Sequence, residues 1–225
     1  LPRFGLSGCR QPAFGGRAAG DFLCKAAGFA REIKHLEETM ELIQYPQQNG
    51  DTEIARQIIA LENTAWPDDA EDAVFPSAPD TYFTSFLWME GDRAVCHVGI
   101  RKSILHHKGE RYLAYGLSEV VTHPEYQKRG LASRAIQKAA EFMRTQAPDL
   151  SIFTCAREKV GFYARCGWEA MPGACLIGGT QDRPFRSDGL NLVTMMAFFS
   201  PKAKQHREDF ECADIVLELG ENQLW

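Results

Sequence analysis

The chain has 225 residues, 44% of them hydrophobic, enough for one domain with a full core. Its net charge of −5 argues against generic nucleic-acid binding and favours cationic partners. No apolar run reaches the roughly 18 residues of a membrane helix or has the form of a signal-peptide core, so no membrane association is expected. The seven cysteines are odd in number, scattered and without a Cys-x-x-Cys pair. They read as free thiols in a reducing cytosol, so the protein is expected to be cytoplasmic and to hold no metal.

Residues 1–39 are rich in Gly and Arg and contain no Met, and they are expected to lie outside the folded domain as added or upstream-translated sequence. Residues 40–225 are expected to form one domain. Met40–Tyr45 opens it as a strand, and Asp51 caps a helix with Ile54, Ile58 and Leu61 on one face. A loop after Trp66 follows, with three prolines and Asp68, Asp69, Glu71, Asp72 and Asp80. Tyr82–Met89 and Ala94–Ile100 read as a hairpin around Glu90-Gly91-Asp92, and Arg111–Thr122 as the next strand. Gln127–Gln146 has helical periodicity, with Leu131, Ala135, Ala139, Phe142 and Met143 facing inward. Then come a strand at Leu150–Cys155 and a helix at Glu158–Cys166 stopped by Gly167. Strands at Ala174–Ile177, Leu192–Phe199 and Asp214–Leu219 close the chain.

The junction after the 111–122 strand carries the chemistry. Gln127-Lys128-Arg129-Gly130-Leu131-Ala132 joins a strand to a helix as Gln-x-x-Gly-x-Ala. Such a loop offers backbone N–H groups at a helix N-terminus, where the macrodipole favours an anion. Gly130 permits close approach to the backbone, and Lys128 and Arg129 add positive charge, so the loop suits a pyrophosphate. It lacks the Gly-Lys-Ser/Thr of a P-loop and the three glycines of a dinucleotide fold.

The loop resembles that of the GCN5-related N-acetyltransferases. So do the strand–loop–helix–strand–helix–strand order over 111–179 and Gly161-Phe162-Tyr163-Ala164-Arg165-Cys166-Gly167-Trp168. The resemblance covers about residues 40–199. It implies an α/β (α+β) fold: a mixed, mostly antiparallel central sheet flanked by helices, with two strands splayed around acetyl-CoA. Carried over, the backbone of Val120, Val121 and Thr122 would pair with pantetheine amides, and Gln127 to Ser133 (Gln127, Lys128, Arg129, Gly130, Leu131, Ala132, Ser133) would wrap the pyrophosphate. One departure is Ala156, where the family often has an Asn that contacts the cofactor. The resemblance makes Tyr163 the acid that protonates the leaving thiolate. Glu119 is the best-placed carboxylate for the base; His123 and Glu125 flank the phosphate loop instead. His97 is expected to be an interior histidine, and His106-His107, in a Lys/Gly turn, to be solvated.

Tyr163-Ala164-Arg165-Cys166-Gly167-Trp168 and an acidic tail reaching Trp225 resemble the aminoglycoside 2′-N-acetyltransferases. That resemblance implies a small cationic amine as substrate, bound by Asp68, Asp69, Asp72, Ser118, Glu119, Glu221 and Trp225. In that subfamily a Glu-Gly pair on the strand meets the drug, but here Ser118 falls on the Glu and Glu119 on the Gly. Either a bulge restores the facing, or the substrate is held differently, as in a divergent branch acting on kasugamycin. Other amines (polyamine, amino acid, protein lysine or N-terminus) and a non-catalytic acyl-CoA-binding module are the alternatives. The fold often dimerises through its late strands, so a homodimer is a further expectation.

Overall fold

The computed structural model describes residues 40–46, 50–66, 84–220 and 223–225. The expectations for residues 1–39, and those for Asp68, Asp69, Asp72 and Glu221, lie outside the described residues.

The longest apolar runs pair into one sheet. β1 (Met40–Pro46), β2 (Thr84–Glu90), β3 (Arg93–His107) and β4 (Glu110–Thr122) follow one another as antiparallel neighbours. β5 (Leu150–Ala156) joins β4 in parallel, and β9 (Leu192–Phe198) joins β5 antiparallel with β6 (Glu169–Ala170) beyond it. A second sheet of three strands sets β7 (Cys175–Gly179) between β8 (Pro184–Arg186) and β10 (Asp214–Val216). The expected mixed, mostly antiparallel sheet flanked by helices is what is found.

Helices cover both faces of the β2–β4 ribbon, which is why Ala94 to Arg101 are buried without alternation. α1 (Thr52–Glu62) starts at Asp51, whose carboxylate accepts from the backbone N–H of Glu53 and Ile54 at 2.9 and 3.2 Å. Its Ile58 and Leu61 form a core with Tyr45, Leu87, Ala94 and Val121. α2 (Leu131–Thr145) packs on the other face, where Trp88 donates to the Leu131 carbonyl at 3.0 Å and Phe86 meets Phe142 edge-on. Ile136 and Ala140 add to its buried stripe, whereas Phe142 is only half-buried. The short α3 (Val160–Arg165) follows β5, and α4 (Pro201–Gln205) follows β9.

Several expectations are corrected. The second helix begins at Leu131 rather than Gln127, because Lys128 and Gly130 take positive φ and hold the preceding residues as a loop. β3 and β4 run on to a hairpin at Lys108-Gly109. His107 is therefore interior: it stacks on Phe210 at 4.6 Å and donates to the Asp209 carbonyl at 2.8 Å, while His106 is exposed. The last strand is regular over Asp214–Val216, and its backbone goes on donating to β7 as expected, from Leu217 to the Ile177 carbonyl at 2.9 Å and from Leu219 to the Gly179 carbonyl at 3.1 Å. His97 is interior as expected, 3.0 Å from the Ser85 hydroxyl and 3.1 Å from Glu62.

Asp149 ties three elements together at the start of β5. Its carboxylate accepts from Leu113 N–H at 2.8 Å and from the Ser200 hydroxyl at 2.7 Å. Burial alone would raise its pKa, but those two hydrogen bonds and the charges of Lys202 and Arg111 outweigh it and leave the pKa lowered. A carboxyl depressed in the folded state stabilises above its unfolded value of about 3.9 and loses that contribution as the pH falls through the folded value. Asp149→Asn is expected to lose about 1–3 kcal/mol at pH 7 in urea unfolding. The gap from the parent protein should shrink below about pH 4; a gap constant with pH would contradict this account.

Candidate active site

The parallel pairing of β4 with β5 lasts for two residue pairs, Ala114 with Leu150 and Tyr115 with Ser151, and then stops. Beyond Tyr115, β4 stays on β3 and β5 stays on β9, so the two strands open into a V. A cleft of about 1110 Å³ occupies the opening.

β4 carries a bulge at the mouth of the V. His97 pairs with Val121 but Gly99 pairs with Ser118, so one extra residue sits on β4. Glu119 takes a left-handed φ of 47° to accommodate it. A bulge at this point is one of the two alternatives that the Ser118/Glu119 register left open. Both residues line the cleft, Ser118 buried and Glu119 half-buried.

At the end of β4 the chain makes a one-turn helix at Pro124–Tyr126 and enters the Gln127–Gly130 loop. Lys128 and Gly130 have φ of 63° and 77°, and the Gln127 side-chain amide donates back to the Thr122 carbonyl at 3.2 Å. Gly130 is the N-cap of α2 and provides no side-chain cap, so the N–H groups of the first turn stay open to an anion. Nothing lies within 4 Å of a Cβ built on Gly130, so the space beside that backbone is free for a ligand. Val120, Val121, Thr122, Gln127, Lys128, Gly130, Leu131, Ala132 and Ser133 all line the cleft. Arg129 does not: its guanidinium lies over the Tyr126 ring at 5.0 Å, and Tyr126 donates to Glu90.

The opposite wall comes from β5 and α3. Tyr163 packs edge-on against Phe153 at 4.8 Å, and Phe153 also meets Trp168, whose indole donates to Ser151 at 3.0 Å. Burial, followed by the neighbouring Cys155 and Cys166, raises the Tyr163 pKa well above its ordinary value, so the phenol holds its proton throughout the neutral range. Cys155 and Ala156 line the same wall. The Cys155 thiol is pushed up to about 11, chiefly by burial and then by Glu158.

The floor of the V was not foreseen. Trp225, expected only to meet substrate, has its indole in the space that a Gly116 Cβ would take, at the apex of the splay. Its main-chain oxygen accepts from Thr154 N–H at 2.7 Å and from the Thr154 hydroxyl. The sequence signal for this packing is Gly116 itself, a glycine inside a strand. Trp66 and Leu190, large apolar side chains left exposed, sit in the cleft with Leu224.

A backbone anion nest, an opened strand pair and a protonated phenol on one cleft make a site able to hold a pyrophosphate-bearing thioester and protonate a leaving sulfur. Residues 48–171, more than half of the chain, match the family model for the acetyltransferase (GNAT) domain. The chain belongs to that family. Among solved structures it resembles Escherichia coli ElaA, at 13% identity and a TM-score of 0.51 over 70% of this chain and 98% of that one; this likeness speaks for the fold alone. It also aligns with a probable N-acyltransferase from Enterococcus faecalis V583 (15% identity, TM-score 0.47, 59% of this chain and 33% of that one). A GCN5-related N-acetyltransferase from Kribbella flavida aligns at 21% identity and a TM-score of 0.49, over 60% of this chain and 35% of that one. The chain thus spans about a third of those two proteins. No curated protein matches it. No helix among the described residues is long and apolar enough to cross a membrane, and among them no cluster of His, Cys, Asp or Glu is placed to hold a metal ion.

The cleft wall allows a direct check with a thiol reagent. Iodoacetamide at pH 8 is expected to label exposed Cys212 at least about tenfold faster than Cys155, read by peptide mass mapping. Equal rates would mean that Cys155 is neither as buried nor as weakly acidic as the structure has it.

Proposed function

We propose that the protein is an acetyl-CoA-dependent N-acetyltransferase acting on a primary amine of a small cationic substrate, with the 2′-amino group of an aminoglycoside as the leading candidate. The observation that carries this reading is the convergence of the Gln127–Gly130 nest, the bulge at Glu119 and the buried Tyr163 on a single cleft. The first turn of α2 with Gln127, Lys128 and Gly130 would hold the pyrophosphate of the cofactor, and the inner edge of Val120–Thr122 its pantetheine amides. Bound acetyl-CoA supplies a thioester whose carbonyl carbon accepts a neutral amine and whose sulfur leaves as a thiolate. Glu119 takes the proton that the amine must lose, directly or through a water. Tyr163 delivers its phenolic proton to the sulfur as the C–N bond forms and the C–S bond breaks, and solvent restores both groups.

A small substrate is favoured because Leu224 and Trp225 fold into the cleft where an extended peptide would need an open groove. A cationic one is favoured by Glu119 inside the cleft and by the acidic loop and tail of the sequence, Asp68, Asp69, Asp72 and Glu221. The match of Tyr163-Ala164-Arg165-Cys166-Gly167-Trp168 to the aminoglycoside 2′-N-acetyltransferases narrows the class, and the Ser118/Glu119 departure keeps kasugamycin among the candidates.

Thiol release from acetyl-CoA with kasugamycin, gentamicin, apramycin, spermidine and a lysine peptide tests the substrate. Turnover is expected on an aminoglycoside with a free 2′-amine. Turnover on spermidine or peptide alone would overturn the aminoglycoside reading and keep the acetyltransferase. For the acid, Tyr163→Phe is expected to lower kcat by about 10²- to 10⁴-fold with the KM for acetyl-CoA little changed. Unaltered turnover would remove Tyr163 from the role.

A further inference from the structure

The direction in which the cofactor arm must run gives Trp225 a second consequence. The anion nest lies after Thr122, so an arm extending from it along β4 passes Val121 and Val120 and brings its acyl end to Ser118 and the bulge. Gly116 stands two residues further on, roughly 7 Å at the rise of an extended strand. There the V is closed. The Trp225 indole presses on Gly116 from the tail side, and the Ile152 carbonyl oxygen lies 2.8 Å from where a Gly116 Cβ would stand, so no side chain fits between β4 and β5 at that level. Trp225 is 5% exposed, and its main-chain oxygen is pinned to Thr154 on β5. Its indole N–H is buried with no acceptor among the described residues, an arrangement that a carbonyl oxygen of a bound acyl group would relieve.

We propose that Trp225 is the end wall of the acyl subsite and limits the transferred group to acetyl or a chain one or two carbons longer. The inference rests on the acyl-CoA reading of the cleft. A longer acyl chain entering along β4 must displace the indole. The tail that carries the indole is held at Thr154 and, just before it, by the Gln223 carbonyl, which accepts from Gly179 N–H at 2.9 Å. The wall is therefore fixed rather than yielding.

The test is calorimetric binding of coenzyme A, acetyl-CoA, butyryl-CoA and hexanoyl-CoA to the parent protein and to Trp225→Ala and Trp225→Phe, with melting curves for each. The parent is expected to bind hexanoyl-CoA at least about tenfold more weakly than acetyl-CoA. Trp225→Ala should bring that ratio to near one, and Trp225→Phe should move the limit outward by a shorter step. Because each ratio is taken within one protein, a general loss of stability shifts both affinities and leaves the ratio alone. If Trp225→Ala does not fold, the Trp225→Phe ratio decides the matter. Equal binding of hexanoyl- and acetyl-CoA by the parent, or an unchanged ratio in a folded variant, would overturn the inference while leaving the acyl-CoA reading in place. Failure of the parent to bind coenzyme A itself would overturn both.

Discussion

Everything in this site depends on a backbone ladder that breaks off early: β4 and β5 pair twice and then part. Each strand keeps its outer neighbour, β3 on one side and β9 on the other, so the sheet stays whole while the inner edges of both strands turn toward a cleft. Buried backbone N–H and C=O groups need partners, and an opened ladder between packed helices supplies none from the sheet. At Thr154 the partner is the main-chain oxygen of Trp225. At Thr122 the carbonyl takes the side-chain amide of Gln127. The two helices brace the β2–β4 side of the sheet from opposite faces, α1 through Ile58 and Leu61 and α2 through Leu131 and Ile136.

The second constraint is conformational. Glu119 and Lys128 both adopt left-handed backbone angles, which cost a non-glycine residue roughly 1–2 kcal/mol each. Neither is a residue type that prefers that region. The two lie at the two ends of one cleft wall, the first making the bulge and the second the nest. Four other described non-glycine residues, Lys108, Ala147, Asn191 and Cys212, share such angles outside the cleft wall, so it is the place of Glu119 and Lys128 on that wall that gives their strain its meaning. Arg129, next to Lys128, escapes the cleft and instead stacks on Tyr126, fastening the loop to β2 through the Tyr126–Glu90 hydrogen bond.

What could be read from the chain was what short-range pattern encodes. The alternation of the strands, the stripe of α2, the Asp51 cap and the Gln-x-x-Gly-x-Ala loop are local, and they placed the fold and most of one cleft wall. The misreadings concern contacts between distant segments. His107 looked solvated because it precedes Lys108-Gly109, but Phe210, more than a hundred residues later, closes over it. The bulge at Glu119 was one of two alternatives in the sequence, and it took the pairing of β3 with β4 to decide that a bulge is present. The last strand reads as continuous to Leu219 because Ile215, Leu217 and Leu219 alternate, and Leu217 and Leu219 do keep their hydrogen bonds to β7. The sequence gives no sign that Trp66 and Leu190 reach the cleft, because two separate segments must fold onto the V to put them there.

The position of the tail changes how the cleft should be understood. A flap that merely covers a site can be removed with little loss, because its contacts are with solvent and ligand. Trp225 is instead core: truncating a buried aromatic of this size to alanine costs about 3–5 kcal/mol, and without the residue Thr154 would lose its acceptor and the V its floor. Gly116 is the complementary feature, since any side chain there would occupy the space of the indole. The apex of the splay and the tail are thus one packing unit, built from segments more than a hundred residues apart. The depth of the cleft is consequently set by side-chain packing inside the fold, before any ligand arrives.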